Sequence, residues 1–173
     1  MRILFISDIH GVPSTLSAAL EQGERLGYDR LVLLGDLMYH GPRNGVPGWY
    51  DPQKVADLLN ARRDQILAVR GNCDWSSKLP PTETVRLGDK TIFITHGHLY
   101  QAKFTFANMV YAAREQNADI LLFGHTHQAV TDYLDGLYLM NPGSCSGYYA
   151  TYGTIDITNK GDIVTNIVRL QNR

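Results

Sequence analysis

The sequence has little cysteine, no excess of either charge and no long apolar run, and each shortage excludes a class of protein. Its 173 residues include two cysteines, Cys73 and Cys145, too few for a disulfide framework or a cysteine-based zinc site. Sixteen Lys and Arg against seventeen Asp and Glu give a formal net charge of −1, which argues against binding to long nucleic acid. No apolar run approaches the roughly 18 residues of a membrane helix, so we expect no membrane partner.

The N-terminal segment predicts a buried strand rather than an export signal. Residues 3–6 form a short apolar run, and Asp8 follows soon after it, so the run is too short for the core of a signal peptide. We therefore predict a cytoplasmic protein with reduced thiols. The length and a hydrophobic content of 44% are typical of one globular domain, which we place at residues 1–173.

Strand and helix signals alternate in the first half of the chain. Short apolar runs predict strands, and apolar residues at helical spacing or a Pro after an N-cap Asp predict helices. The predicted strands are 2–7, 30–34 and 65–69, and the predicted helices are 14–26, with Leu16, Ala19, Leu20 and Leu26 on its inner face, and one that starts at Asp51-Pro52. This alternation indicates right-handed crossovers and a parallel sheet.

The second half begins with the same alternation and ends in hairpins. Strands are predicted at 91–95 and 119–123, and between them Phe106, Met109, Val110 and Ala113 mark a helix. Turn signals at Asp135-Gly136 and at 159–161 separate later strand-like runs, which indicates antiparallel pairing. Those runs are 130–134, 137–140, 149–157 and 163–170.

Five of the predicted strands end in side chains that can bind metals. In chain order these groups are Asp8 and His10, Asp36, Asn72 with Asp74, His96 with His98, and His125 with His127. Ligand sites in α/β sheets lie beyond the carboxyl ends of the strands, so the five groups should converge. Carboxylate, amide and imidazole donors without thiolate suit Mn²⁺, Zn²⁺, Fe, Ni²⁺ or Co²⁺. Two Asp, one Asn and four His from these groups, seven ligands in all, suit two ions rather than one.

Taken together, these motifs resemble those of the calcineurin-like metallophosphoesterases. The resemblance rests on Asp8-x-His10, Gly35-Asp36, Gly71-Asn72-x-Asp74, His96-Gly97-His98 and Gly124-His125-x-His127. The short chain, the Gly-Asn-Cys-Asp spelling and the Asn-Pro-Gly-Ser run at 141–144 are similar to the compact YfcE-type phosphodiesterases. The resemblance implies an α/β fold, a four-layer α/β/β/α sandwich of two mixed β-sheets flanked by helices.

The resemblance also implies a division of the ligands between two divalent metal ions. Asp8, His10, Asp36 and His127 would hold the first ion, Asp36 would bridge, and Asn72, His96 and His125 would complete the second. Mn²⁺ is the favoured metal. The implied reaction is hydrolysis of a small phosphodiester by in-line attack of a metal-bridging hydroxide, with Asn72 as a catalytic side chain. The resemblance leaves His98 unassigned, and we expect it either to be the second catalytic side chain, beside the site, or to be a packed histidine at a strand end.

One position departs from the pattern of the larger family members. Cys73 stands where they carry a histidine thought to protonate the leaving group, and a thiol is a poor acid near neutral pH. His98 or a metal-bound water is the alternative acid. Asp74 matches the residue that would orient the missing histidine, and here we expect it to hold the loop instead, through Arg70.

Three alternatives use the same fold. Extra basic residues at the pocket would favour a phosphomonoesterase or nucleotide phosphatase, and Arg43, in the loop from 37 to 50, is the one obvious candidate. His40 in the same loop would either face a substrate phosphate or lie in solvent. A non-catalytic scaffold, as in the retromer subunit of this fold, should have lost ligands, and none is missing here. A nuclease is disfavoured by the small size and balanced charge. The tyrosines near 148–152 suit strands and offer a surface for a homo-oligomer.

Overall fold

Two mixed five-stranded β-sheets form the framework of the computed structural model, which describes residues 1–42, 46 and 48–171. The strands are β1 (Arg2–Ile6), β2 (Arg30–Leu33), β3 (Ile66–Ala68), β4 (Thr82–Leu87), β5 (Lys90–Thr95), β6 (Ile120–Leu122), β7 (Ala129–Leu134), β8 (Leu137–Pro142), β9 (Thr151–Ile157) and β10 (Ile163–Arg169). The helices are α1 (Pro13–Leu26), α2 (Pro52–Asn60) and α3 (Ala107–Glu115), with short 3₁₀ turns at Arg63–Gln65 and His98–Tyr100.

The first sheet has the strand order β10-β9-β1-β2-β3. Its β1, β2 and β3 are parallel, as the alternation of strands and helices predicts, and β9 and β10 form an antiparallel hairpin beside β1. The N-terminus of α2 follows its sequence signal, because the Asp51 side chain accepts a hydrogen bond from the Lys54 N–H at 2.9 Å and Pro52 is the first helical residue.

The second sheet has the order β4-β5-β6-β8-β7. Here β5, β6 and β8 are parallel to one another, and β4 and β7 pair antiparallel at the two edges. The predicted hairpin around Asp135-Gly136 is confirmed as β7 and β8.

Three apolar cores place these sheets in four layers. Alternate residues of a strand face opposite sides, so in β1 Leu4 and Ile6 pack in the core that contains buried residues of α1 and α2. Ile3 and Phe5 pack against Ile92 and Ile120 of the second sheet. A third core joins α3 to the other face of the second sheet. The predicted α/β/β/α sandwich is therefore confirmed.

Three details of the sequence interpretation differ from the structure. Strand β4 was not predicted, because its residues are mostly half-buried at a sheet edge and lack an apolar run. Tyr148 and Tyr149 precede β9 and are exposed at 70% and 68%, so they do not belong to the strand predicted at 149–157. Leu26 is exposed at the end of α1, where Gly23 instead continues the buried face of the helix.

No described helix is long and apolar enough to cross a membrane.

The loops that follow the parallel strands of both sheets lie together at one edge of the sandwich. The loops after β1, β2 and β3 come from the first sheet, and those after β5 and β6 come from the second. A hydrogen bond between the His96 Nδ1 and the Leu34 carbonyl, 2.6 Å long, joins the two sheets at this edge.

Candidate metal centre

The side chains predicted at the strand ends do converge. Within distances of 4.8 Å, ligand atoms group as Asp8, His10 and His127, as Asp8, Asp36 and His96, and as His10, Asp36 and Cys73. These groups share members, so they form one continuous cluster rather than separate sites.

One oxygen of the Asp8 carboxylate accepts hydrogen bonds from the protein, and the other has no hydrogen-bond partner among the described residues. Its Oδ2 accepts hydrogen bonds from the Ser7 hydroxyl at 2.6 Å and from the His125 backbone N–H at 3.1 Å. Its Oδ1 is buried with no hydrogen-bond partner among the described residues, and it lies 3.1 Å from Nε2 of His127 and 3.6 Å from Nε2 of His10. A buried, unpartnered carboxylate oxygen among imidazole nitrogens fits a bound cation.

The two oxygens of the Asp36 carboxylate also have different surroundings. Its Oδ1 accepts the Cys73 backbone N–H at 2.7 Å, while its Oδ2 lies 3.5 Å from Nε2 of His96 and 3.9 Å from Nε2 of His10. One carboxylate oxygen therefore lies between the two groups of imidazoles, where a bridging ligand would have to be.

Backbone carbonyls set the orientation of two of the histidine rings. His10 Nδ1 lies 2.8 Å from the Tyr39 carbonyl, and His96 Nδ1 lies 2.6 Å from the Leu34 carbonyl. A carbonyl only accepts, so each Nδ1 carries the proton and each Nε2 is left as the metal donor. Both Nε2 atoms point into the cluster.

Asn72 and His125 belong to the second half of the cluster. Asn72 Oδ1 lies 3.2 Å from His96 Nε2, while its Nδ2 donates to Cys73 Sγ at 3.3 Å. The His125 ring centroid lies 5.0 Å from that of His96, but His125 is in none of the groups of ligand atoms within 4.8 Å. Burial, then the positive charges of His96 and Lys103, lower the pKa of His125 to about 4.

Charges within the cluster shift the pKa values of its members. Burial disfavours the ionised Asp8, but contacts with His10 and His127 outweigh it and hold the pKa of that carboxyl well below its usual range. Burial also opposes protonation of His10 and His96, yet contact with Asp8 raises the pKa of His10 and contact with Asp36 raises that of His96. The lowered pKa of Asp8 favours a carboxylate that attracts cations, and the raised pKa values of His10 and His96 mean that protons would compete with a metal ion for these two rings.

Backbone strain is concentrated on the predicted ligands. Eight described residues other than glycine have positive φ, and five of them are predicted ligands: Asp8, His10, Asp36, His125 and His127. Each such conformation costs about 1–2 kcal/mol for an L-residue and is kept where the surroundings determine it, as at functional sites. Here the N–H groups of residues 8, 10 and 11 donate to the carbonyls of residues 35, 36 and 37 at 2.9–3.0 Å, which fixes the loop after β1 on the loop after β2.

Two glycines allow the loops to approach this closely. A Cβ on Gly71 would lie 2.0 Å from Asp36 Oδ1, and a Cβ on Gly124 would lie 1.9 Å from Ser7 Oγ. Any side chain at either position would displace the residues that hold Asp36 and Asp8.

Asp74 holds the loop that carries Asp36. Its buried carboxylate accepts three backbone hydrogen bonds, from Asp36 at 2.6 Å, Leu37 at 3.0 Å and Gly71 at 2.9 Å. We expected Asp74 to hold the loop through Arg70, and its carboxylate instead accepts from these three backbone N–H groups. A carboxylate that faces successive N–H groups is not visible in a sequence pattern.

Asn141 braces the histidine loop and was noticed in the sequence only as part of a motif. It is fully buried, and its Nδ2 donates to the Gly124 carbonyl at 2.9 Å and to Thr126 Oγ1 at 3.1 Å. Ser144 Oγ, from the same motif, donates to the Asp8 carbonyl at 2.9 Å. The motif thereby connects the loop of His125 and His127 with that of Asp8.

Three further candidate side chains, His98, Cys73 and His40, belong to the loops that follow β5, β3 and β2. The His98 ring is 5.3 Å from His96 and 6.1 Å from His125, and burial, then the charge of His96, lower its pKa. Burial and the charge of Asp36 raise the pKa of Cys73 to about 12. His40 packs between the rings of Tyr39 and Tyr50 at 4.6 and 5.2 Å. Arg43 lies outside the described residues.

The sandwich and the ligand cluster define a protein of the metallophosphoesterase type. The family model of the calcineurin-like phosphoesterase superfamily domain matches residues 1–160, so the chain belongs to this superfamily. It is 39% identical to phosphodiesterase YfcE of Escherichia coli K12 over 168 residues, which cover 90% of this chain and 88% of the relative. A solved structure described as YfcE, a phosphoesterase from E. coli, superposes with a TM-score of 0.71 at 33% identity, covering 97% of this chain and 98% of the other.

Two further relatives have different names. The probable metallophosphoesterase YsnB of Bacillus subtilis is 30% identical over 144 residues, which cover 83% of this chain and 75% of YsnB. The vacuolar protein sorting-associated protein 29 of Schizosaccharomyces pombe is 43% identical over 151 residues, which cover 85% of this chain and 73% of the relative. The relatives of this chain therefore include proteins named as phosphoesterases and one named for vacuolar protein sorting.

Proposed function

We propose that the protein is a dinuclear metal-dependent phosphodiesterase that hydrolyses a small phosphodiester. The observation that carries the proposal is the position of Asp36 Oδ2, 3.9 Å from Nε2 of His10 and 3.5 Å from Nε2 of His96. One oxygen that faces two sets of nitrogen donors suits a bridge between two ions. The similarity to YfcE, which is named a phosphodiesterase, supports the choice of a diester.

The donors suit the ligand division that the family resemblance implies. Asp8, His10, Asp36 and His127 would hold one ion, and Asp36 with Asn72, His96 and His125 would hold the other. Oxygen and imidazole donors support Mn²⁺ as the metal, and they also accept Zn²⁺, Fe, Ni²⁺ and Co²⁺. Two bound ions supply Lewis acidity towards the phosphoryl oxygens and a nucleophile from water at neutral pH.

We propose that two side chains, Asn72 and His98, contact the substrate. Asn72 is exposed, and its Nδ2 donates to the weak acceptor Cys73 Sγ, so it is available to donate to a phosphoryl oxygen as negative charge develops. His98 Nδ1 is buried without a hydrogen-bond partner among the described residues, and we propose that His98 hydrogen-bonds the leaving group. Because the pKa of His98 is lowered, little of its protonated form is present at neutral pH, and because the pKa of Cys73 is raised, its thiol is a weak acid. Neither side chain is then an effective proton donor, so good leaving groups should react fastest.

Two other functions use the same centre. A phosphomonoesterase would hold a dianionic substrate with the same ligands. The 43% identity to the vacuolar protein sorting-associated protein 29 favours a non-catalytic scaffold as the second candidate, in which the centre would bind metal or a partner without turnover.

Turnover of a diester and a monoester distinguishes these functions. We expect Mn²⁺-loaded protein to hydrolyse bis(4-nitrophenyl) phosphate with a kcat/KM at least tenfold above that for 4-nitrophenyl phosphate. The reverse order would favour the monoesterase. No turnover of either ester by protein that binds two Mn²⁺ ions would favour the scaffold.

A further inference from the structure

A cavity of about 500 Å³ lies beside the candidate metal centre. Its lining residues are Ala102, Lys103, Phe104, Thr105, Phe106, Thr126 and Gln128. Thr126 and Gln128 alternate in sequence with His125 and His127, so the cavity shares a loop with two of the proposed metal ligands. A group bound in the cavity would therefore be close to a phosphate held at the centre.

Phe104 is displayed to solvent on an anchored turn. Its side chain is 88% exposed, the most of any large hydrophobic residue among those described. The N–H groups of Phe104 and Thr105 both donate to the Gln101 carbonyl, at 2.9 and 3.2 Å. Two residues on, the Phe106 ring lies 5.0 Å from the buried Phe123. Because this ring is not used in packing and lines the cavity, it is available to contact a group bound there.

Lys103 adds a positive charge to the same wall. It lines the cavity together with Thr126 and Gln128, which flank His127 in the chain, so it lies in the same cavity wall as the loop of the proposed metal ligands. Lys103 forms no ion pair within the part of the chain that the structure describes. A cation without a carboxylate partner, next to a centre that would hold phosphate, complements the negative charge of a phosphodiester.

We propose that this cavity is the subsite for one ester group of the substrate, and that Phe104 stacks on a flat aromatic ring there while Lys103 lies beside the phosphate. The substrate class is then a phosphodiester that carries an aryl or nucleobase group. The inference rests on the proposed function, because the phosphate must be held at the metal centre for its ester group to reach the cavity.

Binding of two simple phosphonates tests the stacking contact without turnover. We expect Mn²⁺-loaded wild-type protein to bind phenylphosphonate about tenfold more tightly than methylphosphonate, within the range measured for aromatic stacking. Phe104→Ala should reduce this ratio to about one, and Phe104→Trp should retain it. The control is Tyr111→Ala, which removes another exposed ring, on α3, that does not line the cavity, and it should keep the wild-type ratio.

Equal affinities for the two phosphonates in the wild type, or a ratio that Phe104→Ala leaves unchanged, would overturn the subsite. Lys103→Gln should weaken both phosphonates several-fold while it preserves their ratio, and the loss should shrink at high salt. Unchanged affinity in Lys103→Gln would remove Lys103 from the subsite. If Phe104→Ala instead dissociated an oligomer in sedimentation, Phe104 would belong to a contact with a second copy, and the proposal would be wrong.

Two diesters with the same leaving group separate this inference from the proposed function. Phenyl 4-nitrophenyl phosphate and methyl 4-nitrophenyl phosphate both release 4-nitrophenol, and the wild type should prefer the phenyl ester by about tenfold in kcat/KM. If the protein hydrolysed neither diester but still bound phenylphosphonate about tenfold more tightly than methylphosphonate, the proposed phosphodiesterase activity would be refuted and the subsite supported. Equal turnover of both, with equal phosphonate binding, would refute the subsite and support the phosphodiesterase.

Discussion

Replacement of Asp74 by Asn tests whether this residue holds Asp36, the proposed bridging ligand, in place. The Asp74 carboxylate is 8% exposed. Its Oδ2 accepts from the backbone N–H groups of Asp36 and Gly71, and its Oδ1 accepts from that of Leu37. An Asn has the same shape but only one acceptor oxygen. Whichever way the amide is turned, its NH₂ group faces at least one buried N–H.

The number of acceptors lost sets the size of the effect. Hydrogen bonds to charged groups contribute about 1.5–3 kcal/mol each. In its better orientation Asp74→Asn keeps the pair to Asp36 and Gly71 and loses the bond to Leu37, so we expect a loss of about 2–3 kcal/mol in the free energy of unfolding. Asp74→Ala loses all three bonds and should cost roughly 4.5–9 kcal/mol. For a chain of this size the Asn variant should melt about 4–12 °C lower.

The assay is urea unfolding of the metal-free variants, followed by calorimetric titration with Mn²⁺. Because Asp74 fixes the backbone of Asp36, Asp74→Asn should also weaken metal binding by about 10–100-fold. Asp64→Asn is the matched control, since the Asp64 side chain is 94% exposed, and it should change stability by less than about 0.5 kcal/mol. If Asp74→Asn unfolded like the control, or lost stability while it kept full metal affinity, the link from Asp74 to Asp36 would be refuted.

Three further predictions concern the same centre. Asp36→Asn should bind fewer than two ions and lose at least about 10³-fold in diester turnover, and wild-type rates would contradict its bridging role. Because the pKa values of His10 and His96 are raised, Mn²⁺ must displace protons. Its affinity should therefore fall as pH falls from 8 to 6, with proton release in calorimetry, and a constant affinity would contradict this. Gly71→Ala, whose Cβ would meet Asp36 Oδ1 at 2.0 Å, should cost about 1–3 kcal/mol in urea unfolding, whereas Gly48→Ala, with nothing within 4 Å, should be neutral.

Much of the fold was predictable because its central strands are buried on both faces. The residues of β1 and β2 face one core on each side, so they form continuous apolar runs that mark them as strands. Strand β4 is an edge strand with polar residues on its open side, and such a strand has no apolar run. The hairpin turn at Gly88-Asp89, which joins β4 to β5, is the one signal that would have found it.

The convergence of the candidate ligands was also predictable, but the hydrogen bonds that hold their loops were not. Asp8, Asp36 and His96 follow strands, and the meeting of strand ends places them together. The three N–H groups that face Asp74 and the two acceptors that face Asn141 depend on how loops from different strands lie against each other. That arrangement exists only in the folded chain, so no local pattern in the sequence records it.

The most direct test of the account is diesterase activity measured while Mn²⁺ is added stepwise to metal-stripped protein, at protein concentrations well above the dissociation constants. If Asp36 bridges two ions that are both needed for hydrolysis, activity on bis(4-nitrophenyl) phosphate should rise until two equivalents per chain have been added and then stay constant. Asp36→Asn should show no such rise. A plateau at one equivalent, or no activity with two ions bound, would contradict the dinuclear phosphodiesterase.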